Sequence, residues 1–171
     1  VRLVGSEMCI RDRNNTLAPK KPVTIQWNNN EGLIFKKKLT IDDKYLIIVE
    51  DSVQNLSQKN INLFHYSQIT RNKKPDVQNF YILHEGLIGV VGDELKELSY
   101  EDIIEKKETY KNNSGWFGIT DKYWLSAIIP QKGKNFNAEF TYDKQFKANY
   151  IITDPTIINS NQTKKNVATL F

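Results

Sequence analysis

The sequence has almost no sulfur. One cysteine and one methionine occur in 171 residues, and both, Met8 and Cys9, lie in the opening stretch 1–13. That stretch has neither the apolar run of a secretory signal nor the period of a strand or helix. The run Leu3-Val4-Gly5-Ser6-Glu7-Met8-Cys9-Ile10-Arg11-Asp12 resembles one translated frame of a transposon adapter used in shotgun DNA sequencing. Residues 1–13 are therefore read as a non-native tail, and the rest as an interior piece of a longer gene. From Asn14 onward there is no thiol. Disulfides, thiolate catalysis and cysteine metal sites are excluded there.

Long apolar runs are missing too. The longest, Tyr123 to Pro130 and Gly86 to Gly92, fall far short of the roughly 18 residues a membrane-spanning helix needs. Arginine is scarce, with Arg71 alone beyond Arg13, and setting the tail aside takes the net charge from +4 to +3. The lysines are scattered. A nucleic-acid module would gather basic residues on one stripe, so that class is excluded. Lys36-Lys37-Lys38 is the densest basic run, expected on a strand edge where lysines oppose unwanted pairing.

What is present is alternation with period two. Val23, Ile25 and Trp27 alternate with Thr24, Gln26 and Asn28. Leu33, Phe35, Leu39 and Ile41 share a face, with turns at Asn28 to Gly32 and at Asp42-Asp43-Lys44. Strands are predicted over Tyr45 to Val53 and Ile61 to Thr70, with a turn at Asn55 to Lys59. A polar loop follows over Asn72 to Asn79, then short strands over Phe80 to His84 and Leu87 to Val91. Ser99 with Asp102 reads as a capping box opening one or two helical turns. Glu105 to Ser114 is charged and expected to be loose. Strands resume over Gly115 to Thr120, Tyr123 to Pro130, Phe136 to Tyr142, Phe146 to Thr153 and Asn166 to Phe171. Asp154-Pro155 and Asn159 to Lys165 read as turn or loop. Nine or more antiparallel strands with little helix predict an all-β sandwich, occupying residues 14–171 as one partial domain.

Two segments are distinctive: Phe80-Tyr81-Ile82-Leu83-His84-Glu85-Gly86-Leu87-Ile88-Gly89-Val90-Val91-Gly92-Asp93, and Gly115-Trp116-Phe117-Gly118-Ile119-Thr120-Asp121-Lys122-Tyr123-Trp124-Leu125-Ser126-Ala127-Ile128-Ile129-Pro130. Both resemble the large periplasmic domain of YidC-type membrane protein insertases, in the alphaproteobacterial form. The second carries that family's Trp, Asp-Lys-Tyr-Trp and closing Pro, with Ser114 in place of a first Gly. Val23-Thr24 with Trp27, Gly32-Leu33-Ile34-Phe35 and Asp42-Asp43 with Tyr45 follow in the same order. The resemblance implies a large twisted antiparallel super-sandwich similar to galactose mutarotase. It further implies a non-catalytic module of a multi-pass inner-membrane insertase and chaperone, whose membrane parts lie outside this chain. The implied partners are the SecD/SecF–SecYEG translocon, touched by an edge within residues 68–112, and nascent inner-membrane proteins. A carbohydrate-binding or aldose-epimerase-like protein of the same fold is the alternative.

No catalytic, cofactor or metal set can be assembled from the residues. Trp116, Tyr123 and Trp124 suit ligand stacking, but the strand reading assigns them to a core. Tyr123, Leu125, Ala127 and Ile129 would share one face, and Trp124, Ser126 and Ile128 the other. Gly115 and Gly118 would then permit close backbone approach. His84-Glu85 could form an acid–base pair, yet adjacent strand residues point to opposite faces; His65 alternates with Leu63 and Ile61. Asn14, Asn55, Asn112 and Asn161 begin glycosylation triplets, read as chance matches in an Asn-rich chain.

Overall fold

The computed structural model describes residues 16–75 and 84–170. Among these are fourteen strands and one short helix. They divide into two compact units: the described part of Val1–Leu63 with Thr156–Ala168, and Phe64–Pro155 with the chain's last residues from Thr169.

In the first unit, β1 (Val23–Asn28), β2 (Leu33–Ile41) and β3 (Ile47–Asn55) form an antiparallel meander, with β14 (Thr163–Leu170) next to β3. The predicted alternation sets the register. Trp27 opposes Phe35 and Val23 opposes Leu39, so apolar side chains meet across the strands, and the two rings stack at 4.8 Å. Lys36-Lys37-Lys38 does not lie on an edge, since β2 sits between β1 and β3. Its neighbours instead provide cross-strand carboxylates: Lys37 opposes Asp51 and Lys38 opposes Glu50, with ion pairs of 2.5 and 3.3 Å. The strand expected from Tyr45 begins only at Ile47. Asp42 Oδ1 accepts from the Lys44 and Leu46 N–H groups, which closes a turn and puts Tyr45 at a φ of 66° with its ring 79% exposed. Side-chain capture of the following backbone by Asp is what competes with the strand there.

The predicted strand Ile61 to Thr70 is two strands. β4 (Ile61–Leu63) pairs with β13 (Thr156–Ile158) in the first unit, while β5 (Tyr66–Arg71) joins a sheet of the second. Phe64-His65 is the break. The loop expected at Asn159 to Lys165 is correspondingly shorter, because β14 starts at Thr163.

The second unit is a sandwich. One sheet runs β7 (Glu94–Ser99), β6 (Gly86–Val91), β9 (Gly115–Asp121), β10 (Trp124–Ile129), with Thr169 and Leu170 pairing to Ile129 and Ile128. The other runs β5, β12 (Phe146–Ile152), β11 (Phe136–Tyr142), β8 (Glu108–Asn112). The alternation in β11 and β12 sends Phe136, Ala138, Phe140 and Phe146, Ala148, Tyr150, Ile152 inward, where all are buried against Leu87, Phe117, Ile119 and Ile128. Large faces small across the pair: Ala138 opposes Tyr150 and Phe140 opposes Ala148, the alternation by which two rows of side chains interdigitate. Phe117 meets the rings of Phe136, Phe140 and Tyr150 at 5.3, 6.1 and 6.5 Å. Gly115 is the close approach the sequence suggested. At a φ of 150° it packs so tightly on β6 that a Cβ would overlap the Val90 carbonyl oxygen.

Ser99 caps the helix α1 (Tyr100–Glu105) as predicted. Its hydroxyl accepts from the Asp102 N–H, and the Asp102 carboxylate accepts from the Ser99 N–H. Tyr100 and Ile103 are its buried side. Glu105 to Ser114, expected to be loose, holds β8. Glu-Thr-Tyr-Lys-Asn gives little apolar signal, because an edge strand needs one inward ring, here Tyr110, set edge-on to Phe140. The strand expected over Phe80 to His84 and the end of the Asn72 to Asn79 loop fall outside the described residues, apart from His84 itself, which is not in a strand.

Candidate functional site

The β9–β10 turn holds the residues that sequence reasoning singled out, and it places them differently from expectation. Along β9, Phe117 and Ile119 point inward. Two residues on, Asp121 continues that face and carries a carboxylate to the margin of the core, its side chain 7% exposed. A buried carboxylate needs partners, and two other elements supply them. Tyr100, at the first turn of α1 and 1% exposed, donates its hydroxyl to Asp121 Oδ1 at 2.7 Å. Arg71, the last residue of β5, puts Nη2 2.8 Å from Asp121 Oδ2. One carboxylate thus ties together both sheets of the second unit and the helix. Burial, followed by the hydrogen bond and charge of Asp121, pushes the Tyr100 phenol well above its ordinary value, with Arg71 acting weakly the other way. The phenol therefore stays a hydrogen-bond donor.

Beyond Asp121 the chain turns outward. Tyr123 is 83% exposed in the turn, and Trp124, which opposes Asp121, is 50% exposed. The expected core assignment fails for both. Alternation predicted a strand from Tyr123, but β10 begins at Trp124 and is covered only from its middle, at Ala127 and Ile128. The exposed rings are not loose. Arg71 Cζ lies 5.5 Å from the centre of the Trp124 ring, and Lys122 Nζ lies 5.0 Å from that of Tyr123. Trp116, on the opposite face of β9 from Phe117, is half-buried.

His84 and Glu85 do not converge. His84 Nε2 is 3.2 Å from the Leu87 carbonyl oxygen, and Glu85 Oε1 accepts from the Lys122 N–H at 3.1 Å. Each secures backbone next to it. His65 sits by Tyr150, ring centres 5.8 Å apart. Among the described residues no three His, Cys, Asp or Glu side chains gather as metal ligands. An open cleft of about 570 Å³ lies between the β6–β7 turn and β8, lined by Asp93, Glu94, Lys96, Tyr110, Lys111 and Asn112 among others, with no histidine.

One polar centre escaped the sequence reading. Asn55 ends β3 fully buried. Its Nδ2 donates to the carbonyls of Lys59 (2.7 Å) and Ile158 (3.1 Å), and its Oδ1 accepts from the Ser57 N–H and hydroxyl (3.0 and 2.7 Å). The Asn-Leu-Ser triplet there is a structural staple. At the other triplets, Asn112 Oδ1 accepts from the Asn113 and Ser114 N–H groups, and Asn161 occupies a turn at φ 59°. Asn14 lies outside the described residues.

Residues 10–171 match the family model described as the YidC periplasmic domain. A membrane protein insertase YidC of Pelagibacter ubique is 41% identical over 150 residues, covering 88% of this chain and 27% of that protein. The same-named protein of Methylorubrum extorquens is 43% identical over 137 residues, covering 73% and 22%. This chain therefore spans about a quarter of the length of the curated relatives it matches. Among solved structures, a galactose mutarotase related enzyme from Lactobacillus acidophilus superposes with a TM-score of 0.64 at 10% identity, covering 91% of this chain and 69% of that one. At that identity the likeness is one of fold, and it bears out the mutarotase-like sandwich expected from the sequence.

Proposed function

This chain belongs to the YidC periplasmic domain family, and from that premise we propose that it is a non-catalytic scaffold and interaction module of a membrane protein insertase and chaperone. The parent protein would aid insertion and folding of inner-membrane proteins, alone or with the Sec translocon. It would be a multi-pass inner-membrane protein with this domain on the periplasmic side. The observation that carries the reading is the family match over residues 10–171, shared with relatives named as insertases. Residues 14–171 are taken as the domain proper, and the stretch before them as non-native.

The geometry supports contact more than chemistry. Both oxygens of Asp121 are engaged by Arg71 and Tyr100, and His84 and Glu85 are turned to backbone partners. The aldose-epimerase alternative needs a histidine and a carboxylate converging on one cleft, as general acid–base catalysis requires.

The partners proposed are SecD/SecF–SecYEG and nascent inner-membrane proteins. Within residues 68–112, β7 and β8 are the outermost strands of their sheets. Edges of this kind offer unpaired N–H and C=O groups to a partner. The test is photo-crosslinking in the full-length parent, with the probe at Thr109, an exposed position of β8. A SecD or SecF adduct is expected. A parent that sustains insertion yet gives no adduct from this strand would refute the assigned contact.

A further inference from the structure

Single exposed rings are ordinary on a protein surface, whereas adjacent ones that form a patch mark a site of interaction, and the β9–β10 turn presents two side by side, Tyr123 and Trp124. Tyr123 and Trp124 are held out, not folded back: Lys122 lies over the first ring and Arg71 over the second. Arg71 is in turn fixed by the buried Asp121. Buried ion pairs are a poor source of stability; what this one supplies is position, because it anchors the last residue before the turn.

The same end of the second unit gathers two further segments. Arg71 opposes Phe146, and Gln145 Nε2 donates to Asn72 Oδ1 at 2.7 Å. The chain after β5 and the β11–β12 turn are therefore side by side, which puts the exposed Lys73 and Lys144 at the end of the unit where Arg71 meets Trp124. Carboxylates at this end are mostly drawn onto partners within the chain: Asp121 onto Arg71 and Tyr100, Glu101 onto Lys74, Glu85 onto the Lys122 N–H. Asp143 in the β11–β12 turn and Glu105 at the end of α1 remain as opposing charges. Two exposed amphipathic rings thus share this end with the exposed Lys73, Lys122 and Lys144.

We infer that this end of the second unit docks on an anionic bilayer surface, with Tyr123 and Trp124 at headgroup depth and Lys73, Lys122 and Lys144 against lipid phosphates. Tyr and Trp concentrate at membrane–water interfaces because each carries an apolar body and a polar tip. Lysines near an anionic leaflet are attracted within a Debye length. The inference rests on the reading that the domain stands beside a membrane, but its test needs no translocon, so the two can fail separately.

The 171-residue chain is co-sedimented with large vesicles of phosphatidylethanolamine containing about one-third phosphatidylglycerol, and with phosphatidylcholine vesicles. Binding is expected to the anionic vesicles and to weaken several-fold between low and high salt. Lys144→Glu should lower the partition coefficient by at least about five-fold, the effect of one basic residue at such a surface. Tyr123→Ala should lower it several-fold and Tyr123→Phe much less. Leu95→Ala, at an exposed position of β7, should leave it unchanged. Circular dichroism confirms that each variant is folded. Equal binding by wild type and Tyr123→Ala, or no binding to anionic vesicles at low salt, overturns the proposal. A dimer in sedimentation velocity that disappears with Tyr123→Ala would overturn it too, by assigning the rings to a second copy of the chain.

Discussion

The two units solve the same problem differently. The second buries a continuous set of rings and aliphatic chains contributed by both of its sheets and the helix. In the first, Leu33, Ile158 and Ala168 are the buried apolar residues among those described, and beside them stands a fully buried amide, Asn55. Its strands are held by long ladders, cross-strand ion pairs and that amide. An apolar core is non-directional and tolerates volume-conserving change. A polar staple is directional, and losing one partner leaves another buried group unmatched. The comparison teaches that side-chain volume matters most in one unit and hydrogen-bond geometry in the other.

The contrast can be broken most forcefully in the apolar core. Phe117→Ala empties the centre of the ring cluster and is expected to cost about 4 kcal/mol, read from the urea midpoint. Hydrogen exchange should quicken in β9, β11 and β12 before β2. If exchange rises equally throughout, the units are not separate in stability. Asn55→Ala should cost about 2 kcal/mol, chiefly by depriving the Ile158 carbonyl and the Ser57 N–H of their partner, with loss of protection centred on β3 and β13. An isosteric Asn55→Leu that restored stability would show volume, not hydrogen bonding, to be what matters there.

The smallest effect sharpens the boundary between core and site. The Tyr100 phenol is held above its ordinary value of 10.0. In the unfolded chain it ionises near that value; in the folded chain it stays protonated to higher pH. Its contribution is therefore complete below about pH 10 and is lost as pH rises beyond it. Tyr100→Phe should be less stable than wild type by about 1 kcal/mol at neutral pH. That gap should narrow in urea titrations above about pH 10. A gap that is constant with pH would mean the phenol is not the coupled group.

Legibility followed the strength of the alternation. Phe136 to Tyr142 and Phe146 to Ile152 are readable because each inward residue is apolar and each outward one except Ile151 is polar, which only an extended chain packed on one face produces. The Ser99 cap was readable because it is local, with donor and acceptor three residues apart. β8 is hidden because this edge strand turns only one apolar side chain, Tyr110, inward. Tyr123 and Trp124 read as core because their apolar character suggests burial, whereas they stand beside a turn next to Asp121, whose partners Arg71 and Tyr100 come from up to fifty residues away. Asn55 was hidden for a similar reason. Its partners at Ile158 and Gln162 lie about a hundred residues away, and Asn-Leu-Ser by itself reads as a turn.

That buried amide also makes the chain its own folding reporter. In a eukaryotic secretory host, the Asn55 nitrogen would be a glycan acceptor by sequence. Once β3, β13 and the turn that follows β3 have closed on it, an oligosaccharyltransferase has no route to the atom. A sugar at that position would mark molecules modified before the strands came together, and the modified fraction would time closure of the first unit against the rate of glycan transfer.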